Sequence, residues 1–393
     1  MADQFNEIIK QGWGGRMKNA FGGIVAGILL TIISFPVLFL NEGRAKKRHQ
    51  SLQEGAGIVI SVPSDQIDPA NEGRLVHVSG NAEAGGTLSD PQFGVSLSSA
   101  LKLRRKVEMY QWVQEERPET KNKVGGGTEK ATTYSYVKKW SSKLQKSGDF
   151  KDPVGHQNPE SMPYPEAEQV ADPILLGAFM LPPFFVAQLN DYSPLAEISA
   201  ESAPEEIRAK LKAVDGGYYL GADPTAPVVG DVRVVFSAVQ PGLVSVVAKQ
   251  SGQSFDKYKT AAGGELDLLQ SGTHSAEEMF ASAVQANKVL TWVLRFVGFL
   301  LMAIGLGLIA RPLKVMADVV PMAGRVVGMG IGLFAFILAG IGSTLTISVA
   351  WITYRPLIGI PVLALTVFFI WWLVSRLRKA KTPVAEPAPP PLA

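Results

Sequence analysis

The hydrophobic pattern of this chain changes character along its length, and each change predicts a different kind of element. Four stretches are apolar without relief: Gly22 to Leu40, Val289 to Ile309, Val326 to Ile352 and Leu357 to Val374. A helix rises about 1.5 Å per residue, so about 20 such residues cross a hydrocarbon core about 30 Å thick. Charges and prolines collect between the stretches: Arg311, Pro312, Lys314, Asp318, Pro321 and Arg325 in one gap, Tyr354, Arg355 and Pro356 in the other. Such residues are costly in lipid and suit interfacial turns. The first stretch follows a polar, mildly basic segment with Trp13, Arg16 and Lys18. It exits into Asn41-Glu42-Gly43-Arg44 without a small-x-small cleavage pattern, so it reads as a retained span and not a signal peptide. Pro36 near its end is expected to kink it.

Between the first and second apolar stretches the period drops to two. Ile58 to Val62 and Arg74 to Gly80 are strand-like, and Leu103 to Val113 alternates Val107, Met109 and Val113 with Glu108, Tyr110 and Trp112. After a polar, glycine-rich loop, Thr133 to Trp140 resumes the alternation with Tyr134, Tyr136 and Trp140. This predicts a hairpin with a cross-strand aromatic face. Lys151 to Pro173, rich in Pro, Asn, Glu and Gly, predicts a loop dividing the segment. Ser202-Ala203-Pro204-Glu205 has the form of a capping box for a short helix to about Ala213. Val232 to Val239 and Leu243 to Lys249 read as strands joined through Gln240-Pro241-Gly242, with the glycine at positive φ. Ser275-Ala276-Glu277-Glu278 is a second capping box, starting a helix that runs unbroken into the second span.

The expected fold is therefore a multi-pass α-helical membrane protein of four spans, arranged 1+3, with a large β-rich α+β extramembrane domain. Its expected segments are residues 1–21, a cytoplasmic N-terminal piece; 22–40, the first span; 41–287, an external, periplasmic or lumenal domain; 288–375, a three-span bundle; and 376–393, a disordered proline-rich cytoplasmic tail.

Charge refines the picture. Residues 41–287 hold 25 Lys+Arg and 31 Asp+Glu, a net of −6, while the remainder holds 13 and 4, a net of +9. The positive charge flanks the spans, where it anchors and orients them, and does not form a nucleic-acid surface. With the N terminus inside, inner flanks carry ten basic residues against seven on the outer ones, which puts both termini in the cytoplasm.

Candidate chemistry is sparse. Cysteine is absent, and His49, His77, His156 and His274 show no metal-ligand spacing. Ser99-Ala100-Leu101-Lys102 matches a bare S-x-x-K pattern without its companion motifs. No catalytic, metal or cofactor residues are expected, and no cofactor. Arg295 lies six residues into the second span and is expected to snorkel outward. Small residues recur at helical spacing instead. Gly324, Gly328 and Gly332 form one row and Gly23 and Gly27 another, both read as helix-packing faces, within one chain or between chains.

Five motifs carry a resemblance: Asn41-Glu42-Gly43-Arg44, Leu75-Val76-His77-Val78-Ser79-Gly80, Val107-Glu108-Met109-Tyr110-Gln111-Trp112, Gly230-Asp231-Val232-Arg233-Val234 and Ala310-Arg311-Pro312-Leu313. In this order, from about Phe21 to Leu373, the chain resembles the LUMA (transmembrane protein 43) family, which has the same one-plus-three layout. The resemblance implies a scaffold-like, self-associating membrane protein of the endoplasmic reticulum and inner nuclear membrane in animals. It implies no catalytic residues. The Ala/Pro-rich tail and the absence of N-x-Ser/Thr acceptor sites fit a bacterial member, in an inner membrane. The expected function is a membrane scaffold that self-associates through its spans and external domain, with the lipid bilayer, copies of itself and other membrane proteins as partners and no nucleic acid. The alternative is an envelope lipid- or glycan-processing enzyme, with an external site around His77, Glu108 and Tyr110.

Overall fold

The computed structural model describes residues 4–196 and 198–380. Among the described residues five helices are longer than six residues: α1 (Trp13–Ile58), α2 (Ala276–Ile309), α3 (Arg311–Ala317), α4 (Pro321–Tyr354) and α5 (Pro356–Ala380). The chain divides into two compact units. The first takes in Met1–Ile9, Gln50–Thr120 and Lys130–Val284, the second Lys10–His49, Lys121–Glu129 and Gln285–Ala393.

The first unit is built on two large sheets. One runs in the order Gln4–Gln11, Thr128–Ser141, Lys102–Asn122, Val232–Val239, Gly217–Leu220, Leu211–Val214, and Ala167–Val170 pairs beside Lys102–Asn122. The alternation in Val107 and Met109 does what period two requires, since both side chains are fully buried with Phe93, Tyr218 and Phe236. Burying each such side chain contributes about 1.5–3 kcal/mol. The other sheet centres on Leu75–Ala84, which pairs antiparallel with Gly242–Ser251 and parallel with Ile60–Val62. Its core gathers Val76, Val78, Leu176, Phe179, Val246 and Phe255. A third cluster joins Leu52 of α1 to Met279 and Phe280 of α2 around Leu75, Val247 and Leu266.

Several expectations need correction here. Val232–Val239 and Gly242–Ser251 both form as strands, in different sheets, but Gly242 begins its strand opposite Ala82 and is not among the positive-φ glycines. Residues 151–173 do not divide the segment, since each sheet takes strands from both sides of them. The helix after Ser202 is a single turn, Glu205–Arg208, with no side-chain cap. Leu211 turns away to pair with Leu220 and enter the core, and that burial overrides the helical signal. The N-terminal piece is not a bare polar segment: Gln4–Gln11 closes the edge of the first sheet, with Thr133 Oγ1 donating to Asn6 (2.8 Å) and the Tyr134 hydroxyl to Glu7 (2.9 Å).

In the second unit α1, α2 and α4 are each long and apolar enough to cross a membrane, and α5 adds a shorter apolar stretch, Ile360–Phe369. Only 17% of the apolar window of each long helix is buried, as lipid-facing helices require. α1 extends the expected span at both ends and continues through Pro36. The Ser275 capping box forms, Ser275 N–H donating to Glu278 (2.8 Å) and Glu278 N–H to Ser275 Oγ (3.2 Å), and α2 runs unbroken from it. Arg376 to Ala380, expected in the tail, continue α5, and residues 381–393 lie outside the described residues.

Candidate functional site

The motif after the first span becomes intelligible one residue at a time. Residues 41–44 form one turn of α1, so Asn41 and Arg44 stand on one face at i and i+3. Asn41 donates from Nδ2 to the Thr291 carbonyl (3.1 Å) and accepts from Arg44 Nη2 (3.1 Å). Arg44 also donates to Asn287 Oδ1 (3.0 Å) and Thr291 Oγ1 (3.1 Å). Asn287 returns the link through Nδ2 to the Ala45 carbonyl (3.0 Å). Gly43 faces the ring of Tyr354, where a Cβ would come within 2.6 Å of Cζ.

Glu42 is the centre of this hub. Its side chain is 6% exposed and receives Arg295 in a two-point grip, Nε to Oε1 at 2.7 Å and Nη2 to Oε2 at 2.9 Å. Trp351 Nε1 donates a third bond to Oε2 at 2.7 Å. The Arg295 guanidinium lies 4.7 Å from the Trp292 ring centroid and 5.5 Å from that of Trp351. Arg295 therefore does not snorkel outward. Its head group is satisfied within the fold by a bidentate, charge-assisted pair with Glu42. One carboxylate thus fastens α1 to both α2 and α4.

The opposite end of the same helices carries a second polar lock. Trp13 Nε1 donates to the Val315 carbonyl (3.2 Å), and Arg16 pairs with Asp318 and donates to the Gly126 carbonyl (2.6 Å). Gly125 N–H donates to the Val319 carbonyl (3.1 Å). The tip of the long hairpin, residues 121–129, thereby sits at the bundle end that the charge count assigns to the inner side.

The glycine rows separate. Gly27 lies against α2, where a Cβ would meet the Gly305 carbonyl oxygen at 2.6 Å, and Gly23 only reaches Leu308 at 4.0 Å. Gly324 faces Asp318 and Gly328 faces the stem of Lys314 at 3.0 Å, both close to α3, whereas Gly332 meets no described atom within 4 Å.

In the first unit two of the family-like motifs pair directly: Val232 with Met109, Arg233 with Glu108, Val234 with Val107. Val107, Met109 and Gln111 face inward and are fully buried. Gln111 Oε1 accepts from Gln145 N–H (2.8 Å), and its Nε2 donates to the Lys143 carbonyl (3.1 Å). On the other face Glu108 bonds Arg233 at 2.5 Å, Tyr110 packs on Trp140 at 5.3 Å, and Trp112 meets His156 edge-on at 4.8 Å. The aromatic face is thus real, though Tyr134 and Tyr136 are themselves buried.

His77, Glu108 and Tyr110 do not form one constellation. His77 stands in the other sheet, its Nε2 donating to the His274 carbonyl (2.9 Å) and its Nδ1 accepting from Ser61 (3.1 Å). Burial holds its pKa below the usual histidine range, against an opposing pull from that carbonyl. Ser99 and Lys102 also part, the serine exposed at φ 67° and the lysine buried. Among the described residues no three His, Asp or Glu side chains are placed to hold a metal ion. The pairing of Glu42 with Arg295 and Trp351 was hidden in the sequence, where the Asn41–Arg44 motif and a lone arginine inside a span stood as separate signals.

A family model described as Transmembrane protein 43 matches residues 109–356. The human protein named Transmembrane protein 43 is 36% identical over 376 residues, 92% of each chain. The rat protein of that name is 36% identical over 353 residues, 87% of each chain. The fruit-fly Transmembrane protein 43 homolog is 34% identical over 345 residues, covering 85% of this chain and 89% of its own. No solved structure matches the chain.

Proposed function

The chain belongs to the transmembrane protein 43 family, and from that premise we propose that it is a non-enzymatic membrane scaffold whose copies associate through their spans. The observation that carries this is the side of α4 bearing Gly332 and Gly340, where no described atom lies within 4 Å of an added Cβ. In lipid, apolar burial does not drive helices together, and close backbone approach must supply the contacts. A second copy fits that requirement along this face. Its partners are then the bilayer, further copies and other membrane proteins, and the Ala/Pro-rich tail favours a bacterial inner membrane as its location. The aromatic hairpin is not a second contact edge, because Gln4–Gln11 covers Thr128–Ser141.

Mass measurement of the detergent-solubilised protein over a range of concentrations tests this. The expected result is an oligomer that Gly332→Leu converts to monomer. A monomer at every concentration removes the proposal, and an oligomer indifferent to Gly332→Leu moves the contact away from this face.

A further inference from the structure

The hub leaves a charge imbalance just beyond it. Glu42 is the one carboxylate that the described residues of the second unit place at this end of the bundle, and Arg295 and Trp351 already occupy both of its oxygens. Lys46 stands at i+4 from Glu42 on α1, the spacing at which lysine ordinarily pairs with glutamate, yet no ion pair joins the two. Arg355 follows Trp351 at the same spacing, and its N–H donates to the Trp351 carbonyl (2.5 Å), completing the last turn of α4. Lys288 precedes Arg295 by seven residues, two turns back along the same side of α2. α2 runs antiparallel to α1 and to α4, as the contacts Gly27 with Gly305, Asn41 with Thr291, Met302 with Ser343 and Arg295 with Trp351 require. All three cations therefore lie on one side of the hub, about 6 Å beyond it for Lys46 and Arg355 and about 10 Å for Lys288.

Trp292, Trp351 and Tyr354 stand at this level, Trp292 with 67% of its surface exposed. Aromatic and basic side chains keep company in this way at the headgroup layer of a bilayer. Three cations brought together from three helices repel one another, and none of them has an acidic partner among the described residues. The next acids along the two helices are distant and engaged. Glu54, eight residues past Lys46, accepts the Ala261 N–H (2.9 Å), and Glu278, ten residues before Lys288, accepts the Ser275 N–H (2.8 Å). At about 12 and 15 Å along the helix axes both lie beyond a screening length of about 8 Å, as does Glu277 beside Glu278. A counter-charge for all three cations must come from outside the chain, and at the headgroup layer that charge is a lipid phosphate. Arginine grips a phosphate through its fork and lysine meets it as a point charge. A zwitterionic headgroup brings an ammonium that the three cations repel, whereas an anionic headgroup brings none.

We propose that Lys46, Lys288 and Arg355 form a docking site for the phosphate of an anionic phospholipid, at the end of the bundle closed by Glu42. The site lies wholly within the second unit of one chain and is independent of how copies associate.

Purified full-length protein in neutral-detergent micelles provides the test, with phosphatidylglycerol and phosphatidylcholine of identical chains supplied in equal amounts. Native mass spectrometry counts the lipid that stays on the protein. The expected result is retention of phosphatidylglycerol over phosphatidylcholine by about tenfold or more, since each basic residue near an anionic surface is worth about fivefold. Lys46→Gln combined with Arg355→Gln should bring that ratio to within about twofold of parity. Lys18→Gln combined with Arg311→Gln removes the same charge at the other end of the bundle and should leave the ratio as in the parent. Without lipid, the Lys46→Gln, Arg355→Gln protein should melt no lower than the parent, because repulsion is relieved; a lower midpoint would make these cations part of the fold and overturn the site. Exchanging chloride for inorganic phosphate at matched ionic strength should not displace phosphatidylglycerol, and displacement would make free phosphate the ligand in place of a lipid. A ratio near parity in the parent overturns the proposal, as does a preference that survives Lys46→Gln with Arg355→Gln or that both double variants lose equally.

Discussion

The seam between α1 and α2 and the open face of α4 are both marked in the sequence by small residues, and they have come to opposite ends. Along the seam Gly27 sits against the Gly305 backbone, Gly305 against Thr31, and Gly298 against Leu38, where a Cβ would fall within 2.5 Å of the leucine Cδ2. On α4, Gly332 and Gly340 touch no described atom. The spacing of small residues states only that a backbone can be approached. What approaches is decided by a second signal, and the seam has one: one end of it is closed by Glu42, Arg295 and Trp351. No such polar lock stands among the described residues of the open α4 face. The row beside the polar lock is internal packing, and the α4 row is the face proposed for a second copy.

The sharpest way to break this comparison is to open the lock. Glu42→Ala strands Arg295 in an apolar setting and removes the acceptor of Trp351 Nε1. Losing one partner of a buried pair should cost about 3–5 kcal/mol. Thermal unfolding in detergent measures it, and adding Arg295→Met should restore part of the loss because the unpaired charge is gone. Parent-like melting of Glu42→Ala would mean that the seam holds without its lock. The next largest effect is expected from Gly27→Leu, which drives a side chain into the Gly305 carbonyl. Backbone cannot retreat as a side-chain tip can, so the overpacking should cost about 1–3 kcal/mol and leave the Glu42 pair formed. If Gly27→Leu melts like the parent, α1 and α2 are not in close contact there.

How much of this could be read from the sequence follows the range of each interaction. The apolar runs and the alternation around Val107 and Met109 are local patterns, and they predicted the spans and the central strands. The Ser275 cap lies within four residues and also formed. The hub escaped because Asn41 and Glu42 find their partners some 250 residues away, at Thr291 and Arg295. Read alone, Arg295 is a lone charge in a span, for which snorkelling is the obvious outcome. Leu211 misled for a related reason: its helical context is local, while the pairing with Leu220 that removes it from the helix is set by the sheet. Lys102 entered the sequence only as half of an S-x-x-K pattern. The sheet buries it and brings Glu168 near from the neighbouring strand.

The smallest expected effect falls on the open side, and it sharpens the comparison most. Gly332→Leu adds a side chain where no described atom stands within 4 Å of the added Cβ. Glycine within a helix is about 1 kcal/mol less favourable than alanine or its close equals, which leucine nearly is. On the monomer the substitution should therefore be neutral or slightly stabilising, by less than about 1 kcal/mol in thermal unfolding at high detergent-to-protein ratio. Gly27→Leu carries the same chemical change and the same propensity gain, so any difference in sign between the two variants isolates the neighbour and not the residue. A destabilised Gly332→Leu monomer would place an element of the same chain on this face, and the α4 row would then be a second internal seam. A parent-like monomer that no longer assembles would assign the face to association alone. The two readouts are separable because melting at high dilution reports the fold and mass at low dilution reports the assembly.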